Sequence, residues 1–330
     1  MGLISKVKKT LNAINNINII LNKQSRLFAK QNEMLERLNQ IADIIVIDRH
    51  KQQFGAYAAS EKSKLKSSIC RKQDLFDYEA LAKEIGPTPN PFAPEQCTIM
   101  HRKAWEFVYI VQALRERDML QSGKKGLGFA VGKEPLASLF AKYGCEIVAT
   151  DLDSSSEAVN MWSNTNQHSD SIYDLHKPNI CGKETFDKNV TFKFLDMNKI
   201  PNDCLGFDFC WSSCAFEHLG SIQKGKEFIY NMIKCLKPGG IAVHTTEYNI
   251  SSVRSALENS DAILYGRDDL VEMRNTLMEQ GHFVEELDFR LGNYPEEDYV
   301  AYPPYDSTFY KLYLSGFVVT SFGLIIKKAG

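Results

Sequence analysis

The amino-acid sequence predicts an α/β protein built on a doubly wound, mostly parallel sheet, with a long helix at its N-terminus. Two observations predict the sheet. Short apolar runs alternate with helix-like stretches across residues 126–244, and a glycine-rich turn joins the first run to the next helix-like stretch. A third observation predicts the helix, because apolar side chains recur every seven residues across residues 1–48.

Composition narrows the class of protein. The chain has 330 residues, of which 44% are hydrophobic, and this content supplies a large buried core. Its 39 Lys and Arg against 41 Asp and Glu argue against coating of nucleic acid, which requires a basic excess. No apolar run is long enough to predict a transmembrane helix. Eight cysteines without a Cys-x-x-Cys pair indicate reduced thiols in a cytoplasmic protein.

The N-terminal heptads favour a helix whose apolar stripe meets other helices. Three interpretations of residues 1–48 stay open: self-association as a coiled coil, docking onto the globular body, or contact with a membrane surface. Asn residues in the stripe disfavour the membrane. One heptad position holds Val7, Ile14, Leu21, Phe28, Leu35 and Ala42.

Three segments follow from these patterns. Residues 1–48 form the heptad helix, residues 49–97 a linker or helical connection, and residues 98–330 the main domain. The connection contains four prolines within residues 86–94, which excludes helix and central strand there.

Five apolar runs predict the parallel strands, and two later runs predict a pair of strands that closes one edge of the sheet. The five are residues 126–129, 146–150, 190–194, 207–211 and 240–244, and the later pair is 283–289 and 317–326. The helix-like stretches are 99–120, 134–143, 155–165 and 226–236.

The glycine-rich turn and an acidic residue after it indicate a nucleotide-like ligand. Gly126, Gly128 and Gly132 follow the first strand, and Asp151 ends the second strand nineteen residues later. Glycines let the backbone approach the ligand, and a carboxylate at that strand end can accept ribose hydroxyls. The spacing fails both the dinucleotide motif and the phosphate-binding loop. Asp196, after the third strand, is placed to accept an adenine amino group.

The sequence resembles the class I S-adenosylmethionine-dependent methyltransferases in three segments. These are the Leu-Lys-Pro-Gly-Gly element at 236–240, the segment with Asp and Glu-His at 207–219, and the glycine loop. The resemblance covers about residues 100–326. It implies a Rossmann-like, seven-stranded sheet with the last strand antiparallel, and S-adenosyl-L-methionine as cofactor. It places the donor against Gly128, Gly132, Asp151, Leu152, Asp196, Met197, Ser212 and Ser213.

The glycine loop departs from the family. The acidic residue that the family has two positions before the first loop glycine is replaced by Gly126. Glu134, at the start of the following helix, is our substitute partner for the amino group of the donor.

A narrower resemblance is to methyltransferases of bacterial surface-polysaccharide and glycan gene clusters. It is carried by residues 162–168, 211–220 and 244–249. We expect His218 to remove the acceptor proton, with Glu217 orienting it and His244 in a second polar group at the same edge. His218 could instead only line the donor pocket, and His244 could be a core histidine. Their spacing matches no standard ligand set, so no metal is predicted.

The sequence therefore predicts an S-adenosylmethionine-dependent methyltransferase, most simply an O-methyltransferase for a saccharide or glycan intermediate. The alternatives are a small-molecule or N-methyltransferase of the same fold, and a catalytically silent scaffold. We expect a cytoplasmic location, with peripheral contact at the inner membrane face left open, no nucleic-acid partner, and a homo-oligomer as one outcome for residues 1–48. Aromatic residues at 292–313 either face the acceptor or pack against the N-terminal extension.

Overall fold

The computed structural model describes residues 2–57, 64–90, 93–153, 168–258, 262–305 and 308–330. Side chains are described from residue 21 onward within these ranges, except at residues 22 and 89–97. Two compact units divide the chain, Met1–Val46 and Ile47–Gly330. Among the described residues, no helix combines the length and the apolar character that crossing a membrane requires.

The first helix, α1, spans Gly2–Phe54 and so extends six residues beyond the predicted end. Gly55 ends it with a φ of +84°, the left-handed conformation that glycine adopts readily. Within the first unit the apolar stripe faces solvent, with exposed fractions between 51% and 66%. Its exposed members are Leu21, Leu27, Phe28, Met34, Leu35, Leu38, Ile41 and Ile45, and the neighbouring Ile44 is exposed as well.

The body contains the remaining helices and all described strands. The helices are α2 (Lys72–Asp77), α3 (Glu79–Ile85), α4 (Arg102–Arg115), α5 (Leu136–Lys142), α6 (Ile172–Leu175), α7 (Lys183–Asn189), α8 (Ile222–Met232) and α9 (Arg267–Glu279). The strands are β1 (Ser67–Ile69), β2 (Thr88–Asn90), β3 (Ala93–Thr98), β4 (Lys125–Gly128), β5 (Glu146–Asp151), β6 (Val190–Phe194), β7 (Phe207–Ser213), β8 (Leu236–Asn249), β9 (Phe283–Val284), β10 (Leu287–Asp288), β11 (Val300–Ala301), β12 (Lys311–Leu314) and β13 (Phe317–Lys327).

The main sheet confirms the doubly wound, mostly parallel fold. Its strand order is β10-β1-β13-β8-β7-β4-β5-β6, and β4 to β8 all pair in parallel. The long strand β13 runs antiparallel to β8, with Phe322 opposite Thr246. Short strands beside β13 bring the described sheet to eleven strands, which exceeds the seven that the resemblance implies.

Helices cover both faces of this sheet. On one face, Phe140 of α5 packs edge-on against Phe209 and Trp211 of β7. On the other face, Phe228 of α8 packs against Phe129 and His244. The sheet is therefore buried between two helical layers, as the near-continuous apolar strands predict.

The described part of residues 49–97, for which the sequence predicts a linker or helical connection, contributes helices and strands to this body. Strand β1 lies in the main sheet next to β13, and α2 and α3 pack on α4. Strand β1 is only three residues long and two of them are Ser, so no apolar run predicts it. The proline-rich residues form the separate two-stranded ribbon β2–β3, in keeping with their exclusion from helix and central strand.

Candidate active site

The strand order locates the ligand crevice. Strand β4 has β5 on one side and β7 on the other, so the direction of winding reverses at β4. Ligands of open α/β sheets bind at the carboxyl ends of the strands at such a reversal. The carboxyl ends of β4 to β8 therefore define the site, and the predicted donor residues and the Glu217–His218 pair come from them.

The glycine loop follows β4 as predicted. A Cβ at Gly128 would lie 2.4 Å from Cζ2 of Trp211, so only glycine allows β4 to pass that ring. Gly132 has a φ of +50°, and its N–H donates to Oδ2 of Asp151 at 2.9 Å. The loop is thus tied to the end of β5, which keeps its backbone amides at the carboxyl edge.

The acidic residues predicted after β5 and β6 lie side by side at this edge. Asp151 is buried, and Oδ1 accepts a hydrogen bond from Leu152 N at 2.8 Å. The N–H of Leu195 donates to the Asp151 carbonyl, which joins the two strand ends. Asp196 and the buried Met197 come directly after that link. The fold therefore brings the predicted ribose and adenine contacts together.

His168 belongs to the segment 162–168 quoted for the glycan resemblance. Its Nδ1 lies 3.5 Å from Oδ1 of Asp151, and its Nε2 lies 3.0 Å from Asp170. This imidazole is therefore beside the candidate ribose carboxylate. Residues 162–167, and the predicted helix 155–165, lie outside the described residues.

Glu134 supplies a buried carboxyl at the donor side. Its Oε1 accepts a hydrogen bond from the indole N–H of Trp211 at 2.6 Å, and no ion pair reaches it within the described ranges. Burial raises the pKa of Glu134 to about 8. A cationic ligand that arrives next to a buried carboxyl stabilises its ionised form, so a buried carboxyl without an ion-pair partner favours binding of a cation. The ammonium group of methionine fits this requirement.

The start of α4 brings three charged side chains that the sequence reading missed. Arg102 Nη1 lies 2.6 Å from both carboxylate oxygens of Glu247. Lys103 Nζ donates to Glu106 at 2.8 Å and to Ser213 Oγ at 3.1 Å. Burial alone would raise the pKa of Glu106, but Lys103 and Arg102 outweigh burial and lower it to about 2. These residues form a buried, neutral ion quartet.

The two serines at the end of β7 face opposite sides of the sheet. Ser213 joins the quartet, since its hydroxyl donates to Glu106 at 2.9 Å. Ser212 instead points into the α8 layer, where its hydroxyl lies 2.7 Å from Nδ1 of His244. Ser213 can therefore line the site, whereas the side chain of Ser212 is fully buried away from it.

His244 is a core histidine and does not join the catalytic group that the sequence predicted. Its ring is fully buried between the rings of Phe216 and Phe228. Burial lowers the pKa of His244 to about 3, so the ring is neutral. The reason is the period-two alternation of β8, which turns position 244 to the face opposite Glu247.

Glu217 and His218 form the acceptor side, just after β7. Glu217 is fully buried, and its Oε2 accepts a hydrogen bond from Thr246 Oγ1 at 3.0 Å. Burial, with the nearby Glu247 carboxylate, raises the pKa of Glu217 to about 8. His218 is less buried, and its Nε2 lies 3.9 Å from Glu217 Oε1. The predicted base and its predicted partner are therefore neighbours.

These residues fit the methyl donor of the resemblance. The loop amides and Glu134 suit the methionine part, and Asp151 suits the ribose. The doubly wound sheet and this edge define a class I S-adenosylmethionine-dependent methyltransferase, in which S-adenosylmethionine supplies the methyl group.

Comparison with known proteins supports that class. Residues 127–244 match the model of a family described as a methyltransferase domain. The matched range begins in β4 and ends in β8, so it contains Gly128, Asp151 and Glu217. Among curated proteins, none matches this sequence.

Several solved structures are similar at low identity. A candidate sarcosine dimethylglycine methyltransferase from Galdieria sulphuraria has 15% identity over 78% of this chain and 98% of its own, with a TM-score of 0.41. A methyltransferase from Mesorhizobium loti has 13% identity over 66% and 96%, with a TM-score of 0.38. Magnesium protoporphyrin IX methyltransferase from Synechocystis has 10% identity over 68% and 82%, with a TM-score of 0.40.

One sequence pattern could have predicted the buried charges of Arg102, Lys103 and Glu106. They stand at the first turns of a helix whose other positions are almost all apolar, and charged residues there require partners. Helix α4 is buried along most of its length, so its first turn had to place these charges against other buried polar groups.

Proposed function

We propose that the protein transfers the methyl group to a hydroxyl of a saccharide or glycan intermediate. The observation that carries the proposal is the position of the Glu217–His218 pair. It follows β7 at the carboxyl edge, beside Ser213 and next to the donor residues of β4. A hydroxyl needs its proton removed during methyl transfer, and an imidazole at this position suits that step.

The residues divide the work in a simple way. Bound S-adenosylmethionine supplies a methyl group already activated on a sulfonium. The chain aligns the acceptor with it, since alignment is the main contribution of a protein to this displacement. His218 takes the hydroxyl proton on its imidazole, and Glu217, whose Oε1 lies 3.9 Å from Nε2, holds the imidazolium that forms. The buried ion quartet keeps this wall of the site rigid.

Polar and aromatic groups around this edge support a saccharide acceptor. Glu247 and Arg102 offer hydrogen-bonding atoms for hydroxyl groups. Tyr305 is close enough to both for their charges to act on its phenol: burial and the Glu247 carboxylate raise the pKa of Tyr305, and Arg102 opposes them. Aromatic rings stack on sugar faces. Other members of the aromatic segment pack against the body instead, such as Tyr294, whose hydroxyl donates to Gln73.

Replacement of His218 tests the base. His218→Ala should slow methyl transfer by about 100-fold or more, which is the usual contribution of a positioned base. It should leave the affinity for S-adenosylhomocysteine unchanged. His282→Ala is the matched control, because His282 precedes β9 and its Nδ1 accepts a hydrogen bond from Ala329 N in the C-terminal segment. Turnover of His218→Ala equal to that of the control would remove His218 as base.

A panel of acceptors tests the substrate class. Purified protein with S-adenosylmethionine should add the mass of one methylene group to a nucleotide sugar or glycan, at oxygen. Methylation of amines alone would favour the N-methyltransferase alternative. Donor binding without transfer to any panel member would favour the silent scaffold.

We also propose that α1 associates with the α1 of a second copy. The heptad repeat and the exposed stripe from Leu21 to Ile45 support this, because exposed apolar side chains in register need a helical partner. Light scattering should show that removal of residues 1–46 lowers the mass to that of one chain. An unchanged mass would exclude pairing through α1, and loss of vesicle binding instead would indicate a membrane role.

A further inference from the structure

A second cluster of chemically active groups lies at the acceptor edge. The sulfur of Cys214 and one carboxylate oxygen each from Glu217 and Glu247 all lie within 4.8 Å of one another. Cys214 follows β7 directly, and Glu247 lies near the end of β8, so the fold assembles the cluster from adjacent strands. Spacing along the sequence could not show it, since 30 residues separate the last two members.

One residue of this cluster has a carboxyl oxygen that lacks a hydrogen-bond partner among the described residues. Oε1 of Glu217 is fully buried and accepts no hydrogen bond within the part of the chain that the structure describes. A buried carboxylate oxygen without a partner carries a large desolvation cost. An unsatisfied oxygen on a residue of this donor cluster indicates a ligand rather than an accident of packing, because proteins rarely leave such atoms unsatisfied.

The charges of the neighbourhood match a divalent cation. Arg102 and Lys103 bring two positive charges, whereas Glu106, Glu217 and Glu247 bring three negative charges when ionised. The thiolate of the cluster raises the negative excess to two. A divalent ion neutralises it, and the thiol proton leaves to solvent when the ion binds.

We propose that Cys214, Glu217 and Glu247 bind a divalent metal ion of the zinc type. One sulfur and two carboxylate oxygens are donors that Zn²⁺ accepts, and ligands around a tetrahedral Zn²⁺ lie about 3.3–3.8 Å apart, so a contraction of about 1 Å brings these atoms into range. Arg102 would act as an outer partner that fixes the Glu247 carboxylate through its two short contacts.

Three protein ligands leave a fourth position on the ion, as in catalytic zinc sites. At this edge the acceptor hydroxyl would take that position, and the ion would lower the pKa of the hydroxyl before His218 removes the proton. This role of the metal rests on the proposed hydroxyl acceptor, whereas binding of the ion does not.

Cobalt titration tests the site without any acceptor. The full-length protein, saturated with S-adenosylhomocysteine, is titrated with Co²⁺ and then with Zn²⁺ in competition. We expect one equivalent of Co²⁺, with a thiolate-to-cobalt absorption band in the near ultraviolet that Zn²⁺ displaces. Cys214→Ser should abolish the band, and Glu217→Gln should weaken Co²⁺ binding at least about 10-fold.

Matched controls make the result decisive. Cys181→Ser and Glu227→Gln change a buried thiol and an exposed carboxylate that are not members of the cluster, and both should keep the band and the affinity. Affinity for S-adenosylhomocysteine reports that each variant is folded. Absence of saturable Co²⁺ binding by the unaltered protein, or a band that survives in Cys214→Ser, would overturn the proposal. Failure of the acceptor panel with an intact band would count against the proposed function alone.

Discussion

The donor side and the acceptor side of the active-site edge treat buried charge in opposite ways. On the donor side, Glu134 is buried with an indole N–H as its hydrogen-bond partner, and among the described residues no cation forms an ion pair with it, although the Lys103 charge acts on it from farther away. On the acceptor side, Glu106 and Glu247 are buried against Lys103 and Arg102 at 2.6–2.8 Å. The donor side therefore leaves a carboxyl for a cationic ligand to pair with, whereas the two carboxylates of the acceptor side already contact cations of the protein.

This difference predicts that the donor side controls the affinity for the methyl donor and that the ion quartet controls the stability of the fold. An uncompensated buried carboxyl gains stability only when a cationic ligand arrives, so Glu134 should control affinity for the donor. The carboxylates of the quartet already contact cations within the protein, so Arg102 should control stability. The comparison fails if variants of the two regions have the same kind of effect.

The largest expected effect is on stability, from Arg102→Met. This change leaves Glu247 and Glu106 with one fewer cation, and breaking a buried pair in this way costs about 3–5 kcal/mol. Denaturant unfolding measures it. Arg115→Met is the control, because the Arg115–Glu84 pair is exposed and should cost less than about 1 kcal/mol. Equal losses for the two variants would contradict the role of the quartet.

The next effect is on donor affinity, from Glu134→Gln. The amide keeps an acceptor for Trp211 but cannot take a negative charge. We expect S-adenosylhomocysteine to bind about 10- to 150-fold more weakly, which corresponds to the loss of one charged hydrogen bond of about 1.5–3 kcal/mol. Glu146→Gln, an exposed change on β5, should leave calorimetric affinity unaltered. Unchanged affinity in Glu134→Gln would show that Glu134 does not contact the amino group of the donor.

The role of Glu134 also predicts how stability and donor affinity depend on pH. Burial raises the pKa of Glu134 from its ordinary 4.5 to about 8, so the folded protein without ligand holds a proton that the unfolded chain releases. The free energy of unfolding should therefore fall as the pH rises from about 5 to 8. Donor affinity should rise over the same range, because the bound ammonium favours the carboxylate.

Both slopes should be shallower in Glu134→Gln. Stability is measured by denaturant unfolding and affinity by calorimetry, each at several pH values. A donor affinity with the same pH dependence in the variant and the unaltered protein would show that another group titrates.

The smallest expected effect comes from Asp196→Asn. Asp196 is partly exposed after β6 and already accepts a hydrogen bond from Asn198 N at 2.8 Å. Its contact with the adenine amino group would be a single hydrogen bond of about 1 kcal/mol, so donor affinity should fall about 5-fold. A loss as large as that of Glu134→Gln would place the main anchor of the donor at the adenine instead.

The two sides also differ in how far the sequence reveals them. The donor residues follow strand ends within short motifs, so Gly128, Asp151 and Asp196 could be placed from spacing alone. The quartet joins the start of α4 to β7 and β8 across more than 100 residues, and no local pattern contains that pairing. His244 shows a limit of prediction from sequence. Side chains alternate between the two faces of a sheet, so an error of one residue in the position of a strand places a side chain on the wrong face.

Titration of the protein with S-adenosylhomocysteine in a calorimeter tests the central assignment most directly. The account predicts saturable heat with one-to-one stoichiometry, weakened in Glu134→Gln and retained in His218→Ala. Absence of heat in the unaltered, folded protein would contradict the assignment of this edge as a methyl-donor site.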